Sequence, residues 1–173
     1  MHTRFLTRED IRKYEDDLAM CYSDNLQIMD DECEVDFTNR DELLDYLFGL
    51  MDNNYSAIQG IFDDEEDFLF GVIIYDSIRL TDDGNSAQLH LATCKEMWGK
   101  DYLYIYQEEL KKTFFDVLYC MVPAFCRPVI GLLKKLDFEK TGYVPKALPY
   151  TNSKGITKMH DELIYVYQRR KNG

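Results

Sequence analysis

Residues Ala124 to Ala147 read AFCRPVIGLLKKLDFEKTGYVPKA. Pro128 sits near the first turn of a helix, where a missing amide costs little. Val129, Leu132, Leu133 and Leu136 follow at helical spacing and form a buried stripe. FEKTGYV then reads as a strand. Immediately upstream, VLYCMV (117–122) is a continuous apolar run, the pattern of a strand covered on both faces. Strand, helix and strand therefore succeed one another with short connections.

Working outward, Asp101 to Phe115 is helical, with Leu103, Tyr106, Leu110 and Phe114 on one face. Before it, SAQLHLATC (86–94) reads as the third strand of a meander. Its partners are YSAIQGIF (55–62) and DFLFGVIIYDSIRL (67–80), joined through DDEE and TDDGN. Near the start, Phe5 and Leu6 suggest a short strand. Thr7 with Asp10 has the spacing of a capping box, and Ile11, Tyr14 and Leu18 follow as one helix. Thr38 with Asp41 repeats the signature before Leu43, Leu44, Leu47 and Met51. DDECEVD (30–36) reads as a solvated acidic loop. KMHDELIYVYQ (158–168) is a last strand, reached through an irregular loop. The order β-α-α-β-β-β-α-β-α-β-β predicts an α+β sandwich: one domain, residues 1–173, with a mixed sheet of six to seven strands and about four helices.

Composition fits a folded chain of 173 residues, 46% hydrophobic and with a net charge of −12. That charge disfavours nucleic acid and anionic membranes as partners. The start, MHTRFLTRED, lacks a continuous apolar core and is read as carrying no signal peptide. The five cysteines form no CxxC pair, and the three histidines are far apart. Neither pattern predicts a disulfide framework or a metal site, and a cytoplasmic location follows.

The order of elements, with AFCRPVIGLLKKLDFEKTGYVPKA and MWGKDYL (97–103), resembles the GNAT superfamily of acyl-CoA-dependent N-acetyltransferases over nearly the whole chain. MWGKDYL resembles the Trp-Gly-Lys-Gly form of the family's phosphate loop, whose glycines let backbone amides reach the pyrophosphate of acetyl-CoA. The resemblance implies acetyl-CoA as cofactor, with Lys95, Trp98, Gly99, Lys100, Asp101, Tyr102 and Cys126 as its contacts. Asp101 stands where the family has its central glycine, and Leu103 where it has a small residue. As a helix-capping carboxylate worth about 0.5–2 kcal/mol, Asp101 takes the amides a phosphate would use. In the second motif the family's asparagine falls on Cys126, its alanine on Val129, its tyrosine on Leu133 and its Gly-Phe on Asp137-Phe138. That tyrosine is the family's proposed general acid, and Leu133 has no proton to give.

An amine acceptor must lose a proton before it attacks a thioester. His90, on one face of its strand with Gln88 and Ala92, and Glu96, just beyond that strand, are candidate bases. Tyr102 and Tyr143 are candidate substitute acids. A structural role is the plainer reading of a strand histidine and of any one of 13 tyrosines. Three functions stand open. The first is N-acyl transfer to an amine that the acidic stretches 30–36 and 63–67 attract. The second is a non-catalytic GNAT-like protein, similar to those encoded by bacteriophages, working by protein contacts in a virion or host cytoplasm. The third is an acidic inhibitor that imitates nucleic acid.

Overall fold

The computed structural model describes residues 1–25, 35–65, 67–95, 100–151 and 154–169, with 100–102 by backbone alone. After strand β1 (His2–Phe5), the capping box forms as its spacing predicts. Thr7 Oγ1 accepts the Asp10 amide at 3.2 Å, and Asp10 Oδ2 accepts the Thr7 amide at 2.8 Å. Hydrogen bonds from Arg4 hold the Asp10 carboxyl well below the usual range, outweighing its partial burial. Helix α1 (Arg8–Lys13) then breaks at Tyr14, and α2 (Glu15–Ser23) resumes, so the single helix expected across Ile11, Tyr14 and Leu18 is two. Tyr14 is drawn to the sheet: its hydroxyl donates to Asp67 and its ring meets Phe62 edge-on at 5.1 Å.

Helix α3 (Arg40–Asp52) is capped by Asn39 rather than Thr38. Asn39 Oδ1 accepts the Asp41 amide at 3.1 Å, whereas the Thr38 amide and hydroxyl both donate to Asp36 Oδ1, at 2.9 and 2.6 Å. The local Asx turn claims the threonine first. The acidic stretch beginning at Asp30 falls mostly outside the described residues.

The strands β2 (Ala57–Phe62), β3 (Leu69–Thr81), β4 (Gly84–Thr93), β5 (Val117–Pro123), β6 (Glu139–Thr151) and β7 (Thr157–Gln168) join β1 in one sheet of order β1-β2-β3-β4-β5-β7-β6. Every neighbouring pair is antiparallel except β4 with β5. With five helices among the described residues, this is the expected α+β sandwich around a mixed sheet. Cross-strand partners share a face, so Gln59, Ile73 and Leu91 point one way. Gln59 donates to Glu109 Oε2 of helix α4 (Lys100–Lys112) at 2.8 Å, and Tyr75 donates to Gln59 at 3.2 Å. Helix α5 (Arg127–Lys135) lies beside α4, while α1 to α3 cover the other face. Ile61, Leu69, Val72, Ile74 and Leu118 fill the core between.

Helix α4 stops at Lys112, short of Phe115, and this changes which aromatic is buried. Phe114, expected on the inward face, is 51% exposed. Phe115 enters the core instead and stacks on Tyr75 at 5.2 Å. Once the chain leaves the helix, the period that favours Phe114 no longer applies. The irregular loop expected before the last strand is largely strand β6. Its prolines Pro145 and Pro149 are tolerated because β6 is an edge strand, and register shifts accommodate the irregularity.

Helix α5 closes with a Schellman motif. The Phe138 amide donates to Leu133 O at 3.0 Å, the Asp137 amide to Lys134 O at 3.3 Å, and Asp137 has φ 60°. Asp137→Gly is therefore expected to stabilise the fold by about 0.5–1 kcal/mol, because glycine adopts this left-handed conformation without a Cβ clash. The urea midpoint should rise; a fall would mean that the carboxylate contributes more than its backbone costs.

Candidate functional site

Among the described residues, β4 and β5 part after a short stretch of pairing. β4 and β5 pair only through Ser86↔Val117, Ala87↔Leu118 and Gln88↔Tyr119. Beyond Gln88, β4 stays with β3 as far as Thr93, and β5 stays with β7 as far as Pro123. Two intact half-sheets thus diverge, leaving an opening between Leu89–Thr93 and residues 120–123. Both α4 and α5 begin at its mouth, beyond the C-terminal ends of these strands.

Alternation determines what β4 presents to this opening. The Cys94 amide donates to Phe70 O on β3 at 2.9 Å. Ala92 and His90 accordingly turn their backbone groups toward β3, and Leu89, Leu91 and Thr93 turn theirs toward the opening. The Thr93 carbonyl accepts Asn25 Nδ2 at 2.7 Å, and the same amide nitrogen donates to Cys21 O at 2.6 Å. The α2 C-cap Asp24 accepts the Lys95 amide at 2.8 Å and pairs with its ammonium at 3.0 Å. Burial raises the Asp24 carboxyl, but these bonds from Lys95 outweigh it and leave it lowered. The end of α2 is fastened to the end of β4, and Lys95 is engaged there.

Side chains on the lips follow from the same registers. Gln88 faces with Tyr119, and Tyr119 with Val166. His90 and Glu162 therefore lie on one face of the sheet, on opposite sides of the opening, away from α4. His90 is half-buried opposite Ile74, and burial lowers its pKa against a smaller opposing pull from Asp76. Glu162 is only 8% exposed, and burial alone raises its pKa. It makes no hydrogen bond or ion pair among the described residues. Sequence reasoning missed Glu162.

The other candidates are dispersed. Cys126 is buried at the mouth, where it opens α5: its amide donates to Pro123 O at 2.9 Å and its carbonyl accepts from Ile130 at 3.1 Å. Tyr143, level with Leu163, lies on the opposite face from His90, on edge strand β6, and is 58% exposed. Lys140 Nζ lies 5.6 Å from the centre of its ring. Lys100, Asp101 and Tyr102 form the first turn of α4 by backbone, with side chains outside the description; Glu96, Trp98 and Gly99 lie outside the described residues altogether. Leu133 is completely buried.

A seven-stranded mixed sheet parted between its fourth and fifth strands has close counterparts among solved structures. Spermidine N-acetyltransferase from Vibrio cholerae, solved in complex with CoA and spermine, superposes with a TM-score of 0.72 at 17% identity, covering 97% of this chain and 95% of that one. Ribosomal-protein-S5-alanine acetyltransferase from Vibrio fischeri gives 0.71 at 15% identity, covering 98% and 93%. The chain has the GNAT fold. No family model matches its sequence, and no curated protein matches it either. The architecture is thus kept at a sequence distance where residue roles do not carry over by alignment. Within the GNAT fold of this chain, His90 lies on the β4 lip of the opening, Glu162 one strand behind the β5 lip, and Leu89 and Leu91 turn backbone groups into the gap.

Proposed function

We propose that the chain is an acyl-CoA-dependent N-acyltransferase that acts on a cationic amine. The observation carrying this reading is the opening itself: a gap edged by outward backbone groups of Leu89 and Leu91, with a half-buried histidine, its pKa lowered by burial, on one lip. Acetyl-CoA, when bound, supplies an acetyl thioester. The amide-bearing arm of CoA suits an open strand edge, because amides pair with an edge as another strand would. An outward N–H of β4 can also donate to a developing oxyanion. His90 takes the proton that the amine nitrogen must lose. Charge supports the same division: most acidic residues precede the opening in sequence, whereas Arg127, Lys134, Lys135, Lys140 and Lys146 follow it, on the side that suits an anionic cofactor.

The test is titration with acetyl-CoA, followed by thiol release with a panel of primary amines. Micromolar binding and amine-dependent release are expected. His90→Ala should lower kcat by about 10²- to 10⁴-fold, the usual contribution of a positioned base, with cofactor affinity kept. The pH profile gives a second readout. A base works in its neutral form, and burial moves the His90 pKa below 6.5, so the acid limb of kcat/KM should fall below pH 6.5. An acid limb well above that value would exclude His90 as the base.

The competing reading is a non-catalytic GNAT-fold protein acting through protein contacts, of the kind bacteriophages encode. It is favoured by Leu133, which packs in the core where the family resemblance has its acid, and by Asp101 in place of glycine. Absence of acetyl-CoA binding by both the natural chain and Asp101→Gly would decide for it.

A further inference from the structure

Glu162, one strand behind the β5 lip and level with Pro123, does not stand alone. Two residues earlier on the same face of β7 is His160, about 7 Å away along the strand. The His160 ring meets Phe125 at 5.0 Å and Tyr150 at 5.9 Å, and Phe125 meets Tyr150 at 4.7 Å. Phe125 comes from the turn after β5, fastened where the Ala124 amide donates to Asp161 O at 2.9 Å. Tyr150 comes from β6, two residues along from Leu148, the register partner of His160, and so on the same face. Three half-buried rings from three segments thus meet past the end of β5, on the strand that carries the buried Glu162 and its two neighbouring segments.

The combination has a specific chemical meaning. Ring faces carry negative potential and attract cations, Phe and Tyr among them. A buried carboxyl is costly to ionise unless a cation compensates it. Among the described residues no hydrogen bond or ion pair reaches Glu162. An incoming cation would supply the compensating charge and hold the carboxylate ionised. We infer that Glu162, with Phe125, Tyr150 and His160, forms a subsite for an alkylammonium group, the recognition point of the acceptor amine. The subsite serves acyl transfer only if the reading above holds, but its preference for a cation does not depend on that reading. It selects a primary ammonium carried on an apolar stem, which lies against the rings while its head group meets Glu162.

The experiment uses butylammonium as probe, with butanol and butyrate as neutral and anionic controls, titrated calorimetrically into the full chain without CoA. Butylammonium should bind at least about tenfold more tightly than either control, as expected of a charge-assisted contact. Glu162→Gln keeps the shape, removes the charge and should lose that preference. Tyr150→Leu, which spares Glu162, should weaken butylammonium by roughly three- to tenfold through loss of one ring. A folded Glu162→Gln protein that still prefers butylammonium overturns the inference, as does equal binding of butylammonium and butanol by the natural chain. Acetyl-CoA is titrated separately. Glu162-dependent amine binding in a chain that ignores acetyl-CoA sinks the acyl-transfer reading and keeps the subsite. Acetyl-CoA binding without cation preference does the reverse.

Discussion

Gly71→Ala should destabilise the fold by about 3 kcal/mol, the upper range for forcing an added methyl into a packed interior. Gly71 pairs with Thr93 at the last rung of the β3–β4 ladder. A Cβ built there would lie 2.4 Å from Thr93 Cγ2, 2.7 Å from the Ala92 carbonyl oxygen and 3.1 Å from Thr93 Cα. Rotating the threonine relieves only the first contact. The other two are backbone, so β3 and β4 must move apart at the lip of the opening. Urea unfolding measures the loss, and Gly131→Ala supplies the contrast. Gly131 lies inside α5 with nothing within 4 Å of its added methyl, so alanine there should add roughly 0.5–1 kcal/mol. If Gly71→Ala behaved like Gly131→Ala, the close approach of β3 to β4 would be refuted.

What the sequence made legible follows the strength of its local signals. Val129, Leu132, Leu133 and Leu136 keep one period through a whole helix with Pro128 at its start, and that helix lies where the pattern predicts. The meander was legible because its apolar runs are separated by acidic and glycine-containing turns. Competition between neighbours was not legible. Thr38 and Asn39 are both good caps, and only the turn at Asp36 shows which is used. Phe114 and Phe115 differ by one position, and the end of α4 decides which is buried.

The site was harder to read for a different reason. The parting of β4 from β5 is a long-range event, and nothing in Leu89 or Cys120 announces that their strands no longer pair. His90 was identifiable by alternation within one strand. In KMHDELIYVYQ, however, both alternations run from polar to apolar residues. His160, Glu162, Ile164 and Val166 form one row, Asp161, Leu163, Tyr165 and Tyr167 the other, so the inward carboxylate is ambiguous until the registers with β5 and β6 are known. Tyr143 is the converse case: a reactive residue type whose register sets it on an exposed edge, on the face opposite His90.

Leu133→Ala should cost about 3 to 4 kcal/mol, within the range for a buried leucine whose cavity collapses poorly. Leu133 is completely buried, and its carbonyl accepts both the Leu136 amide at 3.1 Å and the Phe138 amide at 3.0 Å, so the surrounding backbone is held in place. The informative companion is Leu133→Tyr, which puts back the residue that the family resemblance has here. A hydroxyl entering this position must find a hydrogen-bond partner or lose its solvation, and the larger ring must displace packed neighbours. Leu133→Tyr should therefore lower the urea midpoint and leave thiol release from acetyl-CoA no faster than in the natural chain. Faster release with stability kept would mean that this helix face reaches the opening after all, and that an acid can be restored to it by one substitution. The expected outcome leaves proton handling to His90, on the β4 lip of the opening.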